Sequence, residues 1–319
     1  MTTQTRPAVT THRDVDLRSR VLYWAGRATL RQVYRFWPVT DPGLGGLGAV
    51  ERGFTRLPVP AGVRVESTAL GGTAAETTTP DPVGSDALAD VTVLYLHGGA
   101  FVFCGPGTHR RVCGQLSVAL GVTVHSLDYR MLPEVDLATV VADVYAAYRA
   151  LSEQLPVDHR IVVAGDSAGG YLAAAICELA DRDGVRPPAA MVGFSPLLDI
   201  DGEVREGPWA TRDCYQPAVT VERFQRLWQR HADGLPSSRS MPVCDPTVFP
   251  PTLITLAAGE IVEPAALQLT ERLHAAGRHV ETHRWHSAVH AFPVLAGLTT
   301  HSRHAGRVTT EFLRQILGA

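Results

Sequence analysis

Residues 162–171 read VVAGDSAGGY. A β-rich apolar run ends in a glycine turn, and YLAAAICELADRDG continues with helical character. Between them stands Gly165-Asp166-Ser167-Ala168-Gly169, a GxSxG pattern. A serine on a tight strand-to-helix turn is exposed. Small residues two before and two after it let strand and helix approach, and the next backbone N–H points at an incoming carbonyl oxygen. GxSxG alone also fits a purely structural glycine turn, so the flanking strand and helix carry the nucleophile reading. A phosphate-binding reading is poorer, because GK[ST] and the dinucleotide spacing are both missing.

Outward from this turn the periods alternate. VTVLYLH, VTVHSLD, RIVVAGD, AMVGFSP and TLITLAA are short apolar runs, and VETHRWH reads as a last strand. Helical stretches lie between them, and HAGRVTTEFLRQIL closes the chain. Uniformly apolar strands separated by helices imply an α/β fold with a mostly parallel central sheet covered on both faces. GVRVESTAL and AETTTP are expected to pair ahead of it.

Two segments break the pattern. The first twenty residues are polar and expected to fray. VLYWAGRATLRQVYRFWPV then reads as one amphipathic helix, with Tyr23, Leu30, Tyr34 and Trp37 on one face and Arg27, Arg31 and Arg35 on another. It fits a membrane-surface anchor, or more commonly a helix folded on its own protein with its arginines in water. Residues 200–240 hold Trp209, Tyr215 and the helix VERFQRLWQRHA. Together the two segments suit a lid over the carboxyl edge of the sheet, where ligands bind in open α/β folds.

Composition excludes several classes. The chain has 319 residues, 45% of them hydrophobic, and a formal charge of -3, which gives no bias toward nucleic acid or anionic membranes. It holds no lysine and no asparagine. Five cysteines at unrelated spacings, with no CxxC, argue against a disulfide framework or a zinc site. The opening residues lack an apolar h-region and no run is long enough to span a bilayer, so a cytoplasmic protein is expected.

A second motif lies about 70 residues before the serine: His97-Gly98-Gly99-Ala100-Phe101 ends the strand VLYL. Acyl transfer needs donors aimed at a developing oxyanion, and a Gly-Gly turn exposes backbone N–H groups. The third position of the HGGG-type loop is alanine here; alanine keeps its N–H, so the donor survives if the backbone there needs no positive φ. A plain β-turn is the alternative. Late in the chain, His283, His286 and His290 cluster, but without HExxH and on a strand and loop, so no metal is expected.

These motifs resemble the hormone-sensitive-lipase-like branch of the α/β-hydrolases, bacterial esterases with HGGG and GDSAGG. The resemblance runs from about residue 60 to the C-terminus and includes DYRMLPE (128–134), SPLLDI (195–200), FPPTLI (249–254) and the late HAF. It implies an α/β-hydrolase fold flanked by helices, with a helical cap from residues 1–55 and an inserted segment near 200–240, over a catalytic domain of residues 56–319. It further implies a serine carboxylesterase without cofactor or metal, acting on a small-molecule ester, and leaves a homodimer as an option. Ser167 would be the nucleophile and His290 the base, with His286 at a surface position. Gly98, Gly99, Ala100 and Ala168 would form the oxyanion hole. Phe101 is expected to shape the substrate pocket, and Trp209 to contribute to it or, like Trp24, Trp37 and Trp228, simply to pack cap against core.

The acid departs from the family pattern, because DPLRDEG or DEVLLDD is replaced by GEIVEPA. In one register Glu260 falls on the aspartate; in the other Gly259 does, and Glu260 follows. Glu263, a helical step further on, is the second candidate. These departures keep other outcomes open: acyl transfer, lactone or cyclisation chemistry on the same triad, or a silent ligand-binding homologue.

Overall fold

The computed structural model describes residues 9–14, 17–40, 58–84, 87–202, 213–214 and 216–318, without the side chains of Leu30, Val33 and Tyr34. The 55/56 boundary, residues 203–212 of the inserted segment (with Trp209) and Tyr215 lie outside the described residues.

The strands are β1 (Val9–His12), β2 (Val63–Leu70), β3 (Thr73–Pro80), β4 (Val91–Leu96), β5 (Thr123–Asp128), β6 (Arg160–Asp166), β7 (Ala190–Phe194), β8 (Thr252–Ala257) and β9 (Val280–Trp285). Among the described residues they form one sheet in the order β1-β9-β8-β7-β6-β4-β5-β3-β2. β3 pairs antiparallel with both β2 and β5, so it alone runs against the rest. The helices are α1 (Leu17–Ala28), α2 (Leu30–Phe36), α3 (Pro106–Leu120), α4 (Leu137–Gln154), α5 (Ala168–Arg182), α6 (Ala218–Arg230), α7 (Glu263–Ala275) and α8 (Thr300–Leu317).

Strand periodicity divides the core. On β4, Leu94 and Leu96 face the apolar side chains of α4 and α5, while Val93 and Tyr95 face those of α3 and α8. Both faces of β4 are buried, which is why VTVLYL carries no polar alternation. None of the described helices is long and apolar enough to cross a membrane.

Two expectations for the N-terminus need correction. Residues Val9–His12 are a strand parallel to β9, with Val9 opposite Thr282. The open edge of β9 supplies backbone partners, and His12 stacks on Trp285 at 4.3 Å and meets His283 Nδ1 at 3.0 Å. A polar segment is thus fixed without an apolar pattern of its own. The single helix is also two, because Thr29 interrupts it and its hydroxyl donates to the Ala25 carbonyl at 2.7 Å.

Candidate active site

β4, β6, β7, β8 and β9 run parallel, so the residues that follow them gather on one edge of the sheet. Leu96 on β4 pairs with Gly165 on β6, which sets the glycine loop beside the serine.

Ser167 lies between β6 and α5 at φ 50°, ψ -119°. A serine at positive φ is strained and persists only where its surroundings hold it. Here Ser167 N–H donates to the Phe194 carbonyl at 3.0 Å, and its own carbonyl accepts Leu197 N–H at 2.8 Å. The flanking glycines are needed for space: a Cβ on Gly165 would overlap the Gly169 carbonyl, and one on Gly169 would overlap that of Leu96. Ala168 opens α5, so its N–H is among the first-turn donors that no helical carbonyl takes.

The glycine loop divides its donors. Gly98 N–H donates to Asp166 Oδ1 at 3.0 Å, so Gly98 braces the loop and does not face an incoming oxyanion. Tyr95 O–H (2.9 Å) and His109 Nε2 (3.1 Å) meet the same oxygen. Burial alone would lift the Asp166 carboxyl, but His109 and the Tyr95 hydroxyl outweigh it and hold the group below the ordinary aspartate value. His97 stacks on Tyr129 at 4.2 Å, its Nδ1 lies 2.7 Å from the Gly98 carbonyl, and burial pushes its pKa down to about 3. It is a neutral strut for the loop.

Ala100 sits at φ 57°, so the condition of a backbone without positive φ is not met, and alanine keeps its N–H there in a left-handed conformation. The tight turn demands it: Val102 and Phe103 both donate to the Gly99 carbonyl, at 2.9 and 3.1 Å. Alanine there carries strain that glycine would not. Ala100→Gly is therefore expected to raise the thermal midpoint by about 1–2 °C, for about 1 kcal/mol of relief. Differential scanning calorimetry checks this; an unchanged or lower midpoint contradicts it.

Glu260 and His290 meet across two loops. His290 Nδ1 lies 2.8 Å from Glu260 Oε2, and both side chains are buried. Glu260 Oε1 accepts Ala257 N–H at 2.9 Å. The Ser195 hydroxyl favours the charged form of Glu260, and its oxygen accepts Ala291 N–H at 3.0 Å, so Ser195 lies between the two loops. Burial lifts the Glu260 carboxyl above the ordinary glutamate value, and the His290 bond offsets this only in part. At His290 burial disfavours the charged ring, but the bond and charge of Glu260, with Asp213 and Asp166 behind it, outweigh burial and raise the imidazole pKa. Glu263 goes elsewhere: it accepts Gly259 N–H at 2.6 Å and pairs with Arg284.

Ser167, His290, Gly99 and Ala100 line one cavity of about 670 Å³. Leu22 from α1 and Phe224 from α6 close its apolar side. Trp228 joins them and donates its Nε1–H to the Ala100 carbonyl at 2.9 Å. Phe101 is not part of this lining. It is fully buried, 5.9 Å ring to ring from both Tyr171 and Trp228, and Phe103 faces the cavity instead. The positive φ of both Ala100 and Phe101 turns the chain through the loop and sends the Phe101 ring inward. Trp24 is exposed, and His286 lies at the sheet edge, where its N–H donates to His12 O. Sequence reading missed Asp166, although it lies inside the motif, and Ser195, although SPLLDI was singled out. It missed Asp213 with no local signal to find it.

The family described by an alpha/beta hydrolase fold matches residues 93–294. The chain is 35% identical to the carboxylesterase/phospholipase LipF of Mycobacterium tuberculosis over 70% of its own length and 61% of that protein's, so it matches under two thirds of this relative. It is 34% identical to the esterase LipU of the same organism, over 71% of this chain and 78% of the relative. A crystal structure of a hormone-sensitive lipase from a metagenome library superposes with a TM-score of 0.80 at 27% identity, covering 95% of this chain and all of that one. With the fold, the serine turn and the glycine loop already in place, the chain belongs to the α/β-hydrolase-fold family, in its hormone-sensitive-lipase-like branch.

Proposed function

We propose that this protein is a serine carboxylic-ester hydrolase acting through an acyl-enzyme. The observation that carries the reading is the buried Glu260–His290 pair at 2.8 Å, opening on the same cavity as Ser167. Glu260 accepts the Nδ1 proton, fixes the tautomer and stabilises the imidazolium, while Nε2 takes the proton of Ser167 as its oxygen attacks the ester carbonyl. Gly99, Ala100 and Ala168 N–H groups receive the oxyanion, and the N-terminus of α5 adds its positive dipole end. His290 returns the proton to the leaving alcohol, and water then releases the acyl group. Relatives named esterase and carboxylesterase support this class. The apolar lining suits an ester with an apolar acyl or alcohol group. Buried thiols at Cys113, Cys177, Cys214 and Cys244 suit a reducing cytoplasm.

Hydrolysis of p-nitrophenyl acetate, butyrate and octanoate, together with mass-spectrometric location of a fluorophosphonate label, tests the reading. The expected label is on Ser167; no label and no turnover would remove it. The pH profile follows from the base. His290 must be neutral to act, and its pKa is raised above 6.5, so kcat/KM is expected to be full at alkaline pH and to fall as pH drops through a midpoint above 6.5. A midpoint at or below that value contradicts the assignment.

A second reading, acyl transfer to an alcohol, draws on the same apolar cavity, which keeps water scarce around an acyl-enzyme. Product analysis with and without an added alcohol separates the two.

A further inference from the structure

Asp213 is almost wholly buried, at 1% exposure, in the segment ahead of α6. Its carboxylate is divided between two backbone donors: Oδ1 accepts Gln216 N–H at 2.8 Å, and Oδ2 accepts Ile261 N–H at 3.1 Å. Ile261 directly follows Glu260. The Asp213 carbonyl in turn accepts Arg31 at 2.7 Å and Arg27 at 3.3 Å, from α2 and α1. The contact is tight, because Cys214 Sγ donates to the Tyr23 carbonyl at 3.1 Å and a Cβ on Gly26 would lie 3.0 Å from that sulfur. One residue therefore joins both N-terminal helices, the start of the α6 segment and the loop of the acid.

We propose that Asp213 is a positioning residue for the acid, a buried latch through which the N-terminal helices hold the Ile261 backbone and so the loop that presents Glu260 to His290. It touches no reacting atom. The cavity wall and the Glu260–His290 pair are then coupled: Leu22 and Ala25 line the cavity from α1, and the arginines of the same helices hold the latch. Displacement of the helices also displaces the acid loop. The charges around the imidazole include this latch. Glu260, Asp213 and Asp166 all favour the protonated His290 ring, while Arg27 and Arg31 donate to the Asp213 carbonyl.

The proposal rests on the ester-hydrolase reading for its catalytic meaning, and its test is separable. The imidazole titration of His290 is read by NMR in wild type and Asp213→Asn, with the signals assigned by their loss in His290→Ala. In Asp213→Asn the pKa is expected to fall by about 0.5–1 unit. kcat for p-nitrophenyl butyrate is expected to fall about tenfold, with KM changed less. A folded Asp213→Asn with the wild-type His290 titration and wild-type kcat would overturn the proposal. Should that variant fail to fold, Arg31→Met, which keeps the carboxylate but loosens its anchor, carries the test. A smaller fall in kcat with the Nδ1–H signal of His290 weakened is expected, and no change in either overturns it. The hydrolase reading fails on a different observation, the absence of a fluorophosphonate label on wild-type Ser167.

Discussion

Ser167→Ala is expected to lower kcat for p-nitrophenyl butyrate by about 10⁴- to 10⁶-fold, to the level left by the oxyanion donors and binding alone. The substitution removes the hydroxyl and little else. Alanine keeps a Cβ at the same φ of 50°, so the turn retains its strain and its backbone bonds to Phe194 and Leu197. The thermal midpoint should therefore move little. That combination separates loss of chemistry from loss of fold. Turnover within about tenfold of wild type would show that Ser167 is not the nucleophile and that the ester is cleaved by another group.

Glu260→Gln is the second large effect. The amide preserves shape but removes the charge that holds the Nδ1 proton, and its NH₂ group favours the wrong tautomer of His290. kcat is expected to fall by at least about 100-fold and toward 10⁴-fold, as happens when the acid of a triad is made an amide. The lifted pKa of His290 should fall with it, because Glu260 supplies the leading favourable contributions to that shift. Glu263→Gln is the matched control. Glu263 holds Gly259 N–H and Arg284, so its loss is expected to cost stability while kcat stays within about tenfold. The reverse ranking of the two variants would make Glu263 the acid. Both comparisons are read on the same ester at alkaline pH, where His290 of the wild type is neutral.

The branch points of this site differ in how far sequence reaches them. The order of strands and helices was legible because buried parallel strands leave unbroken apolar runs, and β4, β6, β7 and β8 are buried along almost their whole length. The serine was legible because its turn imposes small residues at fixed offsets, and the structure shows the cause in the overlaps that a Cβ on Gly165 or Gly169 would create. His290 was legible as a loop histidine after the last strand. These are local constraints, written within a few residues of where they act.

Tertiary structure decided the rest. Glu260 and Glu263 are three residues apart and chemically alike. Their sequence register left them open, yet one reaches His290 at 2.8 Å and the other turns to Gly259 and Arg284. Gly98 resembles Gly99 in the motif, but Asp166, 68 residues later, occupies its N–H. Asp213 meets Ile261 across 48 residues, with no periodic signal around it. The N-terminal strand is fixed by the open edge of β9 and by rings 271 residues away. Periodicity reports which face of an element is buried, a local property of its own geometry. Which carboxylate meets which N–H or imidazole depends on how distant loops are brought to one sheet edge, and that is settled only when the whole chain has packed.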